Sequence, residues 1–259
     1  MLLNVQNVTK SFPVGEDLFS KQRQQILKGV TFSMEKGECL GIVGESGSGK
    51  STLGRIILGL EDADSGTVTF SPEVTASPLA KSVVFQDYTT SVNPRMLIKQ
   101  AIAEPLLRSA MKKTALKKRI VELLNEVGLG TDLAERYPHQ LSGGQLQRVC
   151  IARAIAPNPA FILFDEAVSS LDVSVQAQVL MLMRTLKEKH NIAFMFITHD
   201  ITVATYVCDK LIFLNKGIVA EHINDMKKLN YAKNEYAKDL LQAAHFLEKP
   251  FTRRIQNEQ

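Results

Sequence analysis

No stretch of this sequence stays apolar long enough to span a membrane. The longest runs, residues 160–164 and 192–197, have the length of strands. Residues 1–8 lack the extended apolar core of a signal peptide and give way to polar side chains. The three cysteines, Cys39, Cys150 and Cys208, have no paired spacing. That argues against a disulfide framework or thiolate cluster and suits a reducing compartment. His139, His190, His199, His222 and His245 fall into no metal-ligand spacing. A net charge of +4 is too small to argue for nucleic acid as a partner, and no internal repeat or low-complexity tract is visible. What is present is ordinary for a soluble globular protein: 45% hydrophobic and 22% charged residues, in a 259-residue chain long enough for one large α/β domain.

Hydrophobic patterning orders the chain. Residues 2–8 and 26–34 read as strands, the second with the alternation Val30-Thr31-Phe32-Ser33-Met34 before a turn at residues 35–38. Residues 39–43 form a short apolar strand. In residues 50–60, Leu53, Ile56, Ile57 and Leu60 recur at i, i+3, i+4 and i+7, which predicts an amphipathic helix with one buried face. Residues 71–80, with two prolines, read as a loop. Helical patterns then dominate from about 87 to 158, predicting a helical subdomain inserted in an α/β core. Strand signals return at 161–164, 192–198 and 210–214, with a helix over 175–189. Beyond about residue 224 the chain is polar and weakly patterned, a helical tail at most.

The chemistry sits at the ends of these strands. Gly44-Glu45-Ser46-Gly47-Ser48-Gly49-Lys50-Ser51 fits G-x-x-x-x-G-K-[ST], with a strand before it and a helix after. The glycines let backbone N–H groups turn toward phosphate oxygens, and the helix N-terminus adds partial positive charge. Lys50 is the point charge for the β- and γ-phosphates, and the Ser51 hydroxyl is a Mg²⁺ ligand. Phe161-Ile162-Leu163-Phe164-Asp165-Glu166 is an apolar strand ending in two carboxylates. Such strands are buried on both faces of a parallel sheet, whose ligands bind beyond the carboxyl ends. Asp165 is thereby placed for the Mg²⁺ shell and Glu166 to polarise the attacking water; either carboxylate alone would read equally well as a helix cap. His199 ends another apolar strand and is read as a γ-phosphate sensor, although a lone histidine is usually structural.

Leu141-Ser142-Gly143-Gly144-Gln145 contains an S-x-x-Q capping box, which predicts a helix start. Glycine costs stability in a first turn, so bare backbone at Gly143 and Gly144 suggests a phosphate that must approach closely. Gln86, after a strand over 82–85, is a further Mg²⁺ ligand candidate. Phe12 is either an adenine-stacking ring or a core side chain. Lys112, Lys113, Lys117, Lys118 and Arg119 read as a solvated helix face, with lipid headgroups as the alternative contact.

Together these segments resemble the ABC-type ATPase family over roughly residues 2–223. Gly44 through Thr52 resembles its Walker A motif, Gln86 its Q-loop, Leu141 through Gln145 its signature and Phe161 through Glu166 its Walker B. Ser169-Ser170-Leu171-Asp172 matches the D-loop, and His199 the switch histidine. The resemblance implies a P-loop NTPase core with an inserted helical subdomain (about 87–158) and an antiparallel β subdomain, within an ATPase domain over 1–225 followed by a tail over 226–259. It implies ATP and Mg²⁺ as cofactors, with Glu166, His199 and Gln86 at the chemistry. The nucleotide would lie against the Walker A residues of one subunit, and against Ser142, Gly143, Gly144, Gln145 and Asp172 of another. It further implies a second, related ATPase in a heterodimer, two integral membrane permease subunits, an external binding protein, and a peripheral place on the cytoplasmic face of the membrane.

Within that family the chain is similar to ATPases of peptide and nickel importers, through Phe85-Gln86-Asp87, Ser91-Val92-Asn93-Pro94-Arg95, Ala103-Glu104-Pro105-Leu106 and Asp172-Val173-Ser174-Val175-Gln176-Ala177-Gln178. Gln145 through Cys150 and Asp165-Glu166-Ala167-Val168-Ser169 resemble the second ATPase of nickel importers, where peptide importers usually carry proline at the position of Ala167. Asn234-Glu235-Tyr236-Ala237 stands where the peptide branch tends to have His-Pro-Tyr-Thr. The expectation is therefore nickel uptake, free or chelated. A dipeptide or oligopeptide importer is the alternative, and a soluble non-transport ABC ATPase is the alternative of another class.

Overall fold

The computed structural model describes residues 1–14, 23–107 and 111–244. Along the chain run β1 (Leu3–Pro13), β2 (Arg23–Met34), β3 (Cys39–Val43), α1 (Lys50–Leu58), β4 (Ser65–Phe70), α2 (Pro72–Thr75), β5 (Lys81–Val84), α3 (Ile98–Ala103), α4 (Lys113–Glu126), α5 (Gly143–Ile155), β6 (Phe161–Asp165), α6 (Val173–His190), β7 (Ala193–Thr198), α7 (Ile201–Val207), β8 (Lys210–Asn215) and β9 (Ile218–Ile223). Residues 235–244 are also helical. The chain divides into two compact units, Met1–Phe70 with the segment from Phe196 onward, and Ser71–Met195; β7 carries the chain from the second back into the first.

In the first unit β1 pairs antiparallel with both β2 and β4. Period-two patterning sets the buried face: Leu3 and Val5 lie opposite Met34 and Phe32, and all four are buried. A register shift follows Val5, where Asn7 takes φ 50° and donates its N–H to Thr31 Oγ1 at 2.9 Å. β3 is buried along its whole length and pairs in parallel with β8, which pairs antiparallel with β9. In the second unit β5 pairs in parallel with β6, and α3, α4 and α6 pack on α5. Glu126, near the end of α4, accepts from His190 at 2.8 Å and pairs with Lys189 at 3.1 Å and Arg119 at 3.7 Å, which ties α4 to the end of α6.

Several boundaries and details differ from the sequence reading. α1 stops at Leu58 because Gly59, at φ 75°, takes the left-handed C-cap. Leu60 is consequently exposed rather than part of the buried face made by Leu53, Ile56 and Ile57. Residues 71–80 hold α2 and a 3₁₀ turn at Pro78–Ala80 rather than loop alone. β4 and β9 were not expected from the sequence: each ends a sheet and leaves most side chains at least partly exposed, and the alternation in β4 is limited to Val68 and Phe70 on either side of Thr69. Arg119 is not part of the solvated face. Its guanidinium reaches Asn158 Oδ1 at 2.7 Å and turns inward, whereas Lys112, Lys113, Lys117 and Lys118 are exposed. Cys39 and Cys208 are not isolated, because parallel pairing of β3 with β8 brings their sulfurs to 3.6 Å. Cys150 is a buried thiol, its pKa pushed up to about 12 by burial. Residues 108–110 of the helical stretch, His245 and the tail from 245 onward lie outside the described residues.

Candidate functional site

The phosphate loop lies in the first unit, between β3 and α1. Gly49, at φ 104°, caps α1 without a side chain, and no acidic residue in the first turn competes for an anion. Lys50 is only 4% exposed, and its Nζ donates to the carbonyls of Gly44 at 2.7 Å and Glu45 at 2.8 Å. A buried ammonium is thus held beneath the loop, satisfied by loop oxygens. Gly44 has no room for a side chain, since a Cβ would stand 2.2 Å from the Leu214 carbonyl oxygen. At Gly47, φ 80°, the space is open. Gly217, in the turn between β8 and β9, donates its N–H to the Ser48 carbonyl at 3.0 Å and accepts from the Lys28 N–H at 2.9 Å. The Ser48 hydroxyl is buried without a protein partner. Open space at Gly47, an orphaned hydroxyl, an uncapped helix start and a held cation suit a phosphate group.

His199 is exposed directly after β7 in the same unit, and Asp200 caps α7 through the N–H groups of Thr202 at 2.8 Å and Val203 at 3.2 Å. Phe12 lies on β1 opposite Gln24, with Lys10 Nζ 5.2 Å from its ring centroid, so one face already carries a cation.

The second unit holds the remaining expected residues. Asp165 ends β6 half-buried, and Glu166 follows in left-handed backbone at φ 49°, uncommon for a residue with a Cβ. The Ser169 N–H and hydroxyl both donate to the Glu166 carbonyl, at 3.1 and 2.9 Å, closing the turn that holds this conformation. Gln86 is exposed after β5. Next to it Asp87 accepts from Thr89 and Thr90, bonds that pull its carboxyl down to about 2. A cavity of about 470 Å³ opens here, lined among others by Phe85, Asp87, Thr90, Pro105 and Arg153.

At the start of α5 the capping box is reciprocal: Gln145 N–H donates to Ser142 Oγ at 3.3 Å and Ser142 N–H to Gln145 Oε1 at 3.0 Å. Gly143 and Gly144 have reasons inside the chain that the sequence did not disclose. A Cβ would lie 2.7 Å from the Tyr88 hydroxyl at the first and 2.4 Å from Val175 Cγ1 at the second. Asp172 caps α6 by accepting from the Val175 N–H at 3.0 Å, so the Gly144 end of α5 meets the helix start that Asp172 organises. Hydrogen bonds from Val175 and Ser174 hold the Asp172 carboxyl below its ordinary value.

A loop built to hold phosphate and a strand ending in two carboxylates define a P-loop nucleotide hydrolase. The family model for ABC transporter matches residues 27–169. The chain is 41% identical over 250 residues to the metal-staphylopine import system ATP-binding protein CntF of Staphylococcus aureus (strain NCTC 8325 / PS 47), covering 93% of this chain and 98% of that one. It is 38% identical to the oligopeptide transport ATP-binding protein OppF of Haemophilus influenzae, covering 94% and 78%. Among solved structures, the dimeric MJ0796 cassette bound to ADP and Pi superposes with a TM-score of 0.73 at 33% identity, over 85% of this chain and 97% of that one. The cbiO1 structure from Clostridium perfringens shares the fold, with a TM-score of 0.77 at 22% identity, over 99% and 98%. The chain belongs to the ATP-binding proteins of ABC transporters, and it is a transport ATPase of the ABC type with the P-loop α/β fold and antiparallel β subdomain of that family. Among the described residues no helix is long and apolar enough to cross a membrane.

Proposed function

We propose that this chain powers uptake of a metal in chelated form, nickel among the candidates, from the cytoplasmic face of a membrane. The observation that carries this reading is the near full-length similarity to a metal-staphylopine import ATPase, joined to Ala167 and the segment from Gln145 to Cys150. The OppF similarity favours a peptide importer as the second reading. Deleting the gene and measuring uptake of radioactive nickel, with and without a chelator, against uptake of a labelled oligopeptide tests the choice. Lost metal uptake with normal peptide uptake is expected; the reverse assigns the chain to peptides.

In this reading the N–H groups of Gly47 through Thr52 and the Lys50 ammonium hold the ATP phosphates, with Lys50 leaving the carbonyls of Gly44 and Glu45 to do so. Ser51 in the first unit, and Gln86 and Asp165 in the second, are each oxygen donors of the kind Mg²⁺ takes; an ion held by such donors would neutralise phosphate charge. Glu166 orients and deprotonates the attacking water, and His199 contacts the γ-phosphate. Phe12 would stack on adenine through the ring face away from Lys10. Ser142, Gly143, Gly144, Gln145 and Asp172 serve the ATP of a second, related subunit. Phe85, which is exposed, and the cavity beside it suit a segment of a membrane permease subunit, and cargo would arrive from an external binding protein.

A further inference from the structure

The tail reaches the phosphate loop. Glu45 donates its backbone N–H to the hydroxyl of Tyr236 at 2.9 Å, across 191 positions of sequence. The Glu45 carbonyl accepts from Lys50 Nζ at 2.8 Å and from the Ser48 N–H at 3.2 Å. The residue that anchors the loop's lysine is therefore itself anchored by a side chain from the far end of the chain.

Tyr236 sits on a firm seat. The Glu221 carboxylate, on β9, accepts from the N–H groups of Lys233 at 2.8 Å and Asn234 at 2.9 Å. Asn234 Oδ1 accepts from the Tyr236 N–H at 3.0 Å, starting the helical segment 235–244. That helix buries Ala237, Leu241 and Ala244 at helical spacing. The hydroxyl thus arrives at Glu45 from an element whose backbone and apolar face are both held. Burial, the larger effect, and the Glu45 charge push the Tyr236 hydroxyl above its ordinary value, so it stays neutral near pH 7.

We propose that Tyr236 is a positioning residue of the phosphate loop, and that docking of the tail on Glu221 sets the loop's affinity for nucleoside triphosphate. The loop carries glycine at 44, 47 and 49, and free glycine backbone has much freedom to lose on binding. A contact that fixes the Glu45 peptide before nucleotide arrives removes part of that cost. This inference rests on the ATP-binding reading of Gly44 through Thr52.

The test uses the full chain and a fluorescent N-methylanthraniloyl ATP as probe. Tyr236→Phe keeps the ring and removes the hydroxyl. One lost hydrogen bond of this kind should raise the probe's Kd about three- to tenfold, with KM rising by the same factor, kcat nearly constant, and faster amide hydrogen exchange at Glu45. Glu221→Ala should raise Kd similarly, and the double variant should be no weaker than the weaker single one, because both act through one contact. Unchanged Kd and Glu45 exchange in Tyr236→Phe, or fully additive effects in the double variant, would overturn the inference while leaving ATP binding intact. No probe binding by the wild-type chain would overturn the ATP reading as well.

Discussion

The phosphate loop and the start of α5 are both glycine-rich turns leading into helices, yet they are held in opposite ways. The loop is fixed from outside itself: by Gly217 through Ser48, by the Leu214 carbonyl packed on Gly44, and by Tyr236 through Glu45. The α5 start is held by its own box, Ser142 with Gln145, and Ser142 stays exposed. One turn is pre-shaped by the rest of its unit and intolerant of change. The other carries its own cap, packs Gly143 and Gly144 on the side chains of Tyr88 and Val175, and leaves Ser142 exposed.

The largest expected effect separates chemistry from both turns. Glu166→Gln should slow ATP hydrolysis about 10²- to 10⁴-fold while the chain still binds ATP, and should accumulate an ATP-bound dimer on gel filtration. Wild-type phosphate release in this variant would remove Glu166 from the water-activating role. Next, Lys50→Ala should weaken ATP binding about tenfold to a hundredfold through loss of charge-assisted bonds to phosphate, measured by titration calorimetry. Glycine replacements probe the comparison itself. Gly44→Ala drives a Cβ into a backbone carbonyl and should cost about 1–3 kcal/mol of stability. Gly143→Ala meets only the movable end of Tyr88 and should stay within about 1 kcal/mol of wild type. Equal costs in denaturant titrations would erase the distinction drawn between the two turns.

Smaller effects concern the second unit alone. Gln147, fully buried in α5, has neither amide atom hydrogen-bonded to protein. Gln147→Met should therefore leave the thermal midpoint unchanged or raise it by up to about 3 °C; a clear drop would reveal a bond that the amide makes. Burial pushes Glu126 up, but hydrogen bonds from His190 and Lys189 outweigh it and hold the carboxyl below its ordinary value. Its stabilisation is thus present above the unfolded-state pKa and lost as pH falls through the folded one. Glu126→Gln should flatten that acid limb in pH-dependent denaturation.

What the sequence disclosed was what repeats over short range. The strand Cys39–Val43 and the helix after it were legible from an unbroken apolar run and i, i+3, i+4 spacing, and the capping box was legible from four residues. The edges β4 and β9 were not, because their apolar signal is short: Val68 and Phe70 are the only alternating apolar pair of β4, and β9 buries only Ile223. Long-range contacts were invisible in principle. Nothing near Cys39 announces Cys208, and nothing near Glu45 announces Tyr236. Residues 234–237, which stand where the peptide branch tends to have His-Pro-Tyr-Thr, also bring Tyr236 to the phosphate loop, a contact that no short-range pattern announces.

The most direct test of the account asks which ATP the α5 start serves. Ser142→Ala, with Ser142→Asn as a variant that keeps the helix cap, would be assembled with the second ATPase subunit that the proposed function calls for, and ATP affinity at the Lys50 loop measured beside turnover at the partner's loop. The account predicts unchanged affinity at Lys50 and impaired turnover at the partner's site in both variants. Loss of nucleotide binding at this chain's own Lys50 loop, with the partner's turnover intact, would contradict it.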